Sequence, residues 1–384
     1  MATAAVFGAG DVGSAVLRRL AGCDAIERLC AFDVDEQRAR RAIADATAIA
    51  SYTKTPPAAD WAVVDMRDPE DVAAALERLQ PDVIVNAATL QSWWVIAKLP
   101  AQRRQKLEEE ARLGPWLPLH LLPALRLMEA RATFGLQAPV VNIAFTDVVN
   151  PVLGRLGLAP TSGAGNSELL HAGLRIAAAA RLGVPIDRLG IELLAHHYHV
   201  AYFWQRLERR ELLARDTWHL RLFVDGEDRS GELDLGDLLA EAGRAIPPGR
   251  AVAERTAASA VKNALMLIAD TDRPTHTSAP AGLAGGYDVM LGPSGVRVRW
   301  PQGLSPEQAQ AVNERAQLGD GVRSIEADGR VVFTEAAAAA MRSVLGYDCT
   351  VFDPRETEER ADELTERVRA LLRGRPGRGF SRTS

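Results

Sequence analysis

The chain has 384 residues, of which 47% are hydrophobic and 25% charged, with a formal net charge of −5. That is enough apolar content to bury a substantial core, and the length points to two domains. The acidic balance offers no field for nucleic acid, and no apolar run approaches the ~20 residues of a membrane helix. The expected partner is therefore a small molecule, with neither nucleic acid nor membrane involved.

In chain order, Thr3-Ala4-Ala5-Val6-Phe7 reads as a buried strand running into Gly8-Ala9-Gly10-Asp11-Val12-Gly13. This is a dinucleotide-binding fingerprint. Gly8 turns the chain off the strand, Gly10 leaves out the Cβ that would block a pyrophosphate, and Gly13 lets helix and sheet pack closely. Asp11 and Val12 open a helix patterned by Val12, Ala15, Val16 and Leu20, whose N-terminal amides face the phosphates. The next apolar run, Leu29-Cys30-Ala31-Phe32, ends in Asp33. A carboxylate there accepts hydrogen bonds from an adenosine ribose and repels a 2′-phosphate, so NAD is expected over NADP. Arg38, Arg40 and Arg41 just downstream read as a solvated helix face.

Alternation continues with a helix over 36–50, a strand at 62–64, a helix at 69–79 and a strand at 82–85, which implies a parallel sheet. Asn86, Ala87 and Ala88 end that fourth strand at the edge where such folds bind ligands, and are expected to line the nicotinamide side. A mostly helical stretch fills 92–134. In it Trp93 and Trp94 read as core under the helices, with Trp94 the alternative wall of a substrate pocket. A strand over 139–143, carrying Asn142, closes the sheet. The expected domains are a Rossmann doubly wound sheet over 1–146, an α+β substrate domain over 147–372, and a disordered tail over 373–384 rich in Gly and Arg.

In the second half a helix spans 166–182 and a strand 189–198. Hairpins form around Gly292-Pro293-Ser294-Gly295 and Asp328-Gly329, and helices follow at 255–268, 306–315 and 357–372. The glycine-rich stretch 280–287 reads as a connecting turn. Cys23, Cys30 and Cys349 are odd in number and lack metal-ligand spacing, so they read as reduced thiols of a cytoplasmic protein, and the early strand leaves no room for a signal peptide. Only Lys54, Lys98, Lys106 and Lys262 are lysines, which leaves few candidates for Schiff-base chemistry.

Three of the seven histidines are packed into Ala195-His196-His197-Tyr198-His199 at the end of an apolar strand. Strand geometry puts His197 and His199 on one face and His196 on the other. Three roles are open for them: satisfied structural histidines, a metal site completed by His171 or Glu168, and a proton donor beside the cofactor.

The layout resembles the lactate and malate dehydrogenase superfamily: a GxGxxG domain, an asparagine-bearing strand end (142–151), a carboxylate helix opening with Asn166-Ser167-Glu168, and a histidine strand at Leu194-Ala195-His196-His197. The resemblance implies His197 as acid/base, oriented by Glu168 with His199 beside it, and a homodimer or higher homo-oligomer. It also implies a departure, because His171 stands where those enzymes carry a carboxylate-binding arginine, leaving Arg103, Arg104 or Arg112 as substitutes; His171, His196 and Trp94 are the substrate-side candidates. In the first domain, Asp33-Val34-Asp35, Val64-Asp65 and Asn86-Ala87-Ala88 look like the saccharopine dehydrogenase nucleotide domain. The function expected is NAD-dependent hydride transfer at a hydroxyl- or amino-bearing carbon of a small polar metabolite. The rivals are a NAD- and metal-using hydrolase or lyase similar to the family 4 glycosidases, whose cysteine is missing from Gly163-Ala164-Gly165-Asn166, and a non-catalytic NAD-binding sensor.

Overall fold

Strands of a parallel sheet are buried on both faces and read as near-continuous apolar runs, with alternate residues entering alternate cores. In the first strand Ala5 and Phe7 join one core while Ala4 and Val6 join the other. A computed structural model describes residues 2–201, 216–247 and 249–373. Its first elements are β1 (Ala2–Phe7), α1 (Asp11–Ala21), β2 (Ile26–Asp33), α2 (Glu36–Ala50), β3 (Ala58–Val63), α3 (Pro69–Leu79) and β4 (Val83–Asn86). They are followed by α4 (Ala101–Lys106), α5 (Leu117–Thr133), β5 (Val140–Asn142), α6 (Thr146–Arg155) and β6 (Ser162–Gly163).

The six strands form one parallel sheet in the order β3-β2-β1-β4-β5-β6. Registers align the carboxyl ends: Phe7 pairs with Phe32 and Asn86, Asn86 with Asn142, and Asn142 with Gly163. The chain reverses its winding between β1 and β4, the switch point at which a doubly wound sheet opens its ligand crevice. The sixth strand lies beyond the boundary expected near residue 146.

The second part comprises α7 (Ser167–Leu182), β7 (Leu189–Leu194), α8 (His197–Ala201), β8 (His219–Val224), β9 (Glu227–Asp228), α9 (Leu235–Arg244) and α10 (Ala253–Leu267). Then come β10 (Arg273–Ser278), β11 (Gly286–Gly292), β12 (Gly295–Val298), α11 (Pro306–Ala316), β13 (Val322–Ile325), β14 (Val331–Phe333), α12 (Glu335–Leu345), β15 (Val351–Phe352) and α13 (Thr357–Leu372). Among the described residues its strands make three three-stranded antiparallel sheets, including both expected hairpins. The parts share cores: α10 buries Ala257, Ala260 and Ala264 with α1, while α12 and α13 bury Met341 and Leu364 with α5. Among the described residues no helix is long and apolar enough to cross a membrane. The tail from 374 onward lies outside the described residues.

One expected element is different. The strand predicted to Tyr198 stops at Leu194, with a single bridge from Ala195 to Gly286, and 197–201 turns into α8. Side chains take the amides that would extend the ladder: His196 N–H donates to His199 Nδ1 at 3.0 Å, and His197 N–H to Asp147 Oδ2 at 2.6 Å. Backbone donors satisfied in this way favour a turn over a strand. The two-faced placement expected of the three histidines therefore does not arise.

Candidate active site

A cleft of ≈ 1020 Å³ runs along the carboxyl edge of the sheet. At one end lies the glycine turn. Gly8 has φ +87°, and a Cβ there would come within 2.7 Å of the Ala88 backbone; at Gly13 it would sit 1.7 Å from the Gly8 carbonyl. Both must be glycine for the turn to close. Gly10 is different, because a Cβ would meet nothing within 4 Å and would project into open space. Gly10 also caps α1 without a side chain, so the first amides of the helix, at Asp11 and Val12 on the cleft wall, have no side-chain acceptor. That is the arrangement which binds phosphate oxygens.

Asp33 ends β2 on the same wall and is largely buried. Its Oδ2 accepts the Ala9 N–H at 2.7 Å and its Oδ1 the Asp35 N–H at 2.9 Å, which ties the carboxylate to the glycine turn. Arg38 is exposed, as expected of a solvated face, and also lines the cleft with Nη1 3.2 Å from Asp33 Oδ1. The residues present fit a dinucleotide: a cradle kept open by Gly10, unclaimed helix amides, and a carboxylate at the ribose position.

His197 opens α8 and lines the same cleft. Its Nδ1 lies 2.9 Å from Asp320 Oδ1, and the other oxygen of Asp320 lies 3.0 Å from His196 Nδ1. Asp320 is fully buried. Burial alone works against a charged His197 ring, but Asp320, through its charge and its hydrogen bond, and Asp147, through its charge, outweigh it, so His197 titrates above the ordinary histidine range. Burial likewise opposes the Asp320 charge, and the two imidazoles overcome it, holding the carboxyl well below the usual range. With Nδ1 committed to a carboxylate, the ring is set to exchange a proton at Nε2.

Glu168, expected to orient His197, does not reach it. Its Oε1 accepts from Asn263 Nδ2 at 2.9 Å and Thr277 Oγ1 at 3.2 Å, and its Oε2 lies 2.8 Å from Lys262 Nζ. The first turn of α7 points that side chain at α10 and β10, and Leu169 is the one that meets the cleft. Lys262 is spent on the same network. His199 is also not a cleft residue: it is fully buried, receives the His196 amide, and burial, reinforced by His196, pushes it down to about 3. His196 is fully buried as well, acting on Asp320 from behind.

His171, expected on the substrate side, lies elsewhere, its ring stacked on His276 at 4.8 Å with an interplanar angle of 4°. His276 in turn has Nδ1 3.0 Å from Asp288 and Nε2 3.0 Å from Ser167 Oγ. Donor atoms of His171, His276 and Asp288 lie within 4.8 Å of one another, the one such grouping among the described residues. None of the three lines the cleft, and His196, His197 and His199 do not join them. Arg103, Arg104 and Arg112 do not line it either.

Asn86 and Asn142 are fully buried beneath the site. Asn86 Nδ2 donates to Asn142 Oδ1 at 2.9 Å, and Asn142 Nδ2 to Asn150 Oδ1 at 2.8 Å, fastening the ends of β4 and β5 to α6. The wall itself is made by Ala87 and Ala88 and by Ile143 to Phe145, with Trp94 also on it. The stretch 280–287 packs against α6, where Asn150 Nδ2 donates to the Ala279 carbonyl, and is not part of this cleft. Asp320 was not marked by the sequence reading; its one local sign is the pair of glycines around it, Gly319 and Gly321.

No sequence-family model and no curated protein matches the chain. Solved structures do. A lactate dehydrogenase, MGS-M5, from a Medee basin deep-sea metagenome library aligns with TM-score 0.56 at 14% identity, covering 83% of this chain and 96% of that one. Lactate dehydrogenase from Cryptosporidium parvum, complexed with lactic acid and β-nicotinamide adenine dinucleotide, aligns with TM-score 0.54 at 16% identity over 83% and 96% of the two chains. Malate dehydrogenase from the same organism gives TM-score 0.54 at 16% identity over 83% and 97%. The chain thus has the fold of NAD-dependent lactate and malate dehydrogenases: a six-stranded parallel Rossmann sheet followed by a part built on antiparallel sheets.

Proposed function

We propose that the protein is a NAD-dependent oxidoreductase that moves hydride between the nicotinamide and a carbon bearing a hydroxyl or amino group in a small metabolite. The observation that carries this reading is a single cleft lined both by the glycine turn with Asp33 and by a histidine whose Nδ1 is held by a buried carboxylate. The bound dinucleotide in the similar Cryptosporidium parvum structure supports NAD as the cofactor. When bound, NAD supplies the hydride acceptor, and its reduced form the donor.

The chain's own residues do the rest. Gly10 and the α1 amides hold the pyrophosphate, and Asp33 the adenosine ribose. Neutral His197 takes the proton of the substrate hydroxyl at Nε2 during oxidation, and the imidazolium returns it to the carbonyl oxygen during reduction. Asp320 keeps the ring in one orientation and stabilises its charged form. Phe145, Leu169 and Val200 keep this end of the cleft apolar and exclude water. A homodimer or higher homo-oligomer belongs to the same proposal through the dehydrogenase likeness.

The test is His197→Ala. NADH binding, followed by fluorescence, is expected to persist while turnover across hydroxy acids, alcohols and amino acids disappears. Wild-type rates in the variant, or no NADH binding by the wild type, would overturn the proposal.

A further inference from the structure

We propose that His120 is a substrate-binding residue, with Asn166 as a second polar contact on the same cleft, and that the substrate is an uncharged oxo or hydroxy compound with an apolar arm and a second neutral polar group. This rests on the dehydrogenase reading above and narrows it.

His120 lies on α5, lines the cleft and is only 7% exposed. Its ring makes no hydrogen bond to any described residue, and Nδ1 is sealed without a partner. A sealed Nδ1 is out of reach of a molecule in the cleft, so Nε2 is the ring atom left to bind one, and a bond there offsets part of the about 1–3 kcal/mol that a buried unpaired imidazole costs. The ring meets Phe145 edge-on at 5.9 Å, and Phe145 meets His197 edge-on at 5.5 Å. An apolar face thus stands between two imidazoles on one wall. Burial, helped by the neighbouring His197, pushes His120 down to about 4, so near neutrality it is an uncharged hydrogen-bonding group and not a cation for a carboxylate.

The position of His120 is built. Pro123, on the same wall, has no amide to give the Leu119 carbonyl, and the Leu90 N–H takes that acceptor at 2.9 Å. The loop after β4 is thereby fastened to the turn of α5 that carries His120.

Asn166 lines the cleft with φ 48° and ψ −121°, a conformation that costs a non-glycine residue of order 1–3 kcal/mol and concentrates at functional sites. Its Nδ2 donates to Thr146 Oγ1 at 3.1 Å, Thr146 donates to Asp147 at 3.0 Å, and Asp147 accepts the His197 amide. The strained residue is therefore registered to the proton-transfer group. Leu113, Leu169 and Val200 supply apolar surface on the same cleft, and three of its four arginines, Arg38, Arg67 and Arg250, are already paired with Asp33, Asp362 and Asp11.

The experiment compares NADH-dependent reduction of phenylpyruvate with that of its methyl ester, in the wild type, His120→Leu and His120→Gln, with NADH affinity and melting temperature measured alongside. The ester is expected to be favoured in kcat/KM by tenfold or more. His120→Leu is expected to raise KM for the ester about tenfold, the equivalent of 1.4 kcal/mol, with NADH affinity unchanged and kcat nearly so, and His120→Gln to recover part of the loss. Preference for the acid, or an unchanged KM in a folded His120→Leu protein, overturns this inference and leaves the dehydrogenase reading standing. No turnover of either compound with NADH bound overturns this inference, and the dehydrogenase reading falls with it only if turnover is also absent across the hydroxy acids, alcohols and amino acids.

Discussion

Replacing Asp320 by Asn removes one negative charge from a fully buried site and keeps only one of its two acceptor oxygens, the other becoming an NH2 donor. Asp320 serves two rings, at 2.9 Å from His197 Nδ1 and 3.0 Å from His196 Nδ1. A hydrogen bond to a charged group contributes about 1.5–3 kcal/mol, so Asp320→Asn is expected to lower stability by about that amount; Ala, which strands both imidazoles, is expected to cost nearer 3–5 kcal/mol. The pH dependence has a definite sign. His197 is raised in the folded state, so its contribution is complete below the unfolded histidine value of ~6.5 and is lost as pH rises through the folded value. Asp320 is depressed, so its contribution is present above the unfolded value of ~3.9 and is lost as pH falls through the folded value.

The stability gap between wild type and Asp320→Asn is therefore expected to be widest between about pH 4 and 6.5 and to shrink toward alkaline pH. In the variant, burial is no longer outweighed and His197 titrates lower. The limb of the reductive pH–rate profile that reports the imidazolium then moves to lower pH. Denaturant unfolding across pH, with imidazole proton resonances to follow His197, measures both effects. An unmoved His197 titration, or a gap that grows above pH 8, would refute the pairing as the source of the shift.

Two further outcomes follow from the cofactor end. Gly10→Ala adds a methyl that meets no atom within 4 Å, at a backbone conformation open to any residue (φ −71°, ψ −161°), so the protein is expected to melt at or slightly above the wild-type temperature. It is expected to bind NADH about tenfold or more weakly, and undiminished affinity by fluorescence titration would show that the pyrophosphate does not cross Gly10. Asp33→Ser removes the carboxylate that holds Arg38 at 3.2 Å and leaves that guanidinium beside the ribose position. NADPH affinity is expected to rise and NADH affinity to fall; an unaltered ratio would mean that Asp33 does not select the cofactor.

What was legible in the sequence was local. The turn from β1 into α1 carries its reasons within a few residues, since Gly8 and Gly13 have no space for a Cβ, and Asp33 follows directly on a buried run. The same holds for the hairpins, which turn at their glycines, and for α10, α11 and α13, which follow apolar spacing. The sixth strand, two residues long, was too short to leave a pattern. The histidine turn was misread because its amides are claimed by Asp147 and by the His199 ring, and strand propensity carries no information about such acceptors.

The orienting carboxylate was the harder case, because the pair His197 and Asp320 is separated by 123 residues. Its placement is made by neighbours. A Cβ on Gly319 would lie 2.2 Å from the Tyr198 ring, and Gly321, at φ +80°, would place one 2.8 Å from the Ala111 carbonyl. Those two glycines let the loop approach α8 closely enough for Asp320 to reach both imidazoles, whereas in sequence they read as ordinary turn residues before β13. The order of parts in the lactate and malate dehydrogenases led to Glu168, at the start of the helix where that family's carboxylate lies. Here that turn is committed to Asn263, Thr277 and Lys262. The chemical requirement is a buried acceptor at Nδ1, and this chain meets it from a different segment. A carboxylate–imidazole pair is therefore recognised by its geometry, and the position of the acid along the chain is free to change while the fold stays the same.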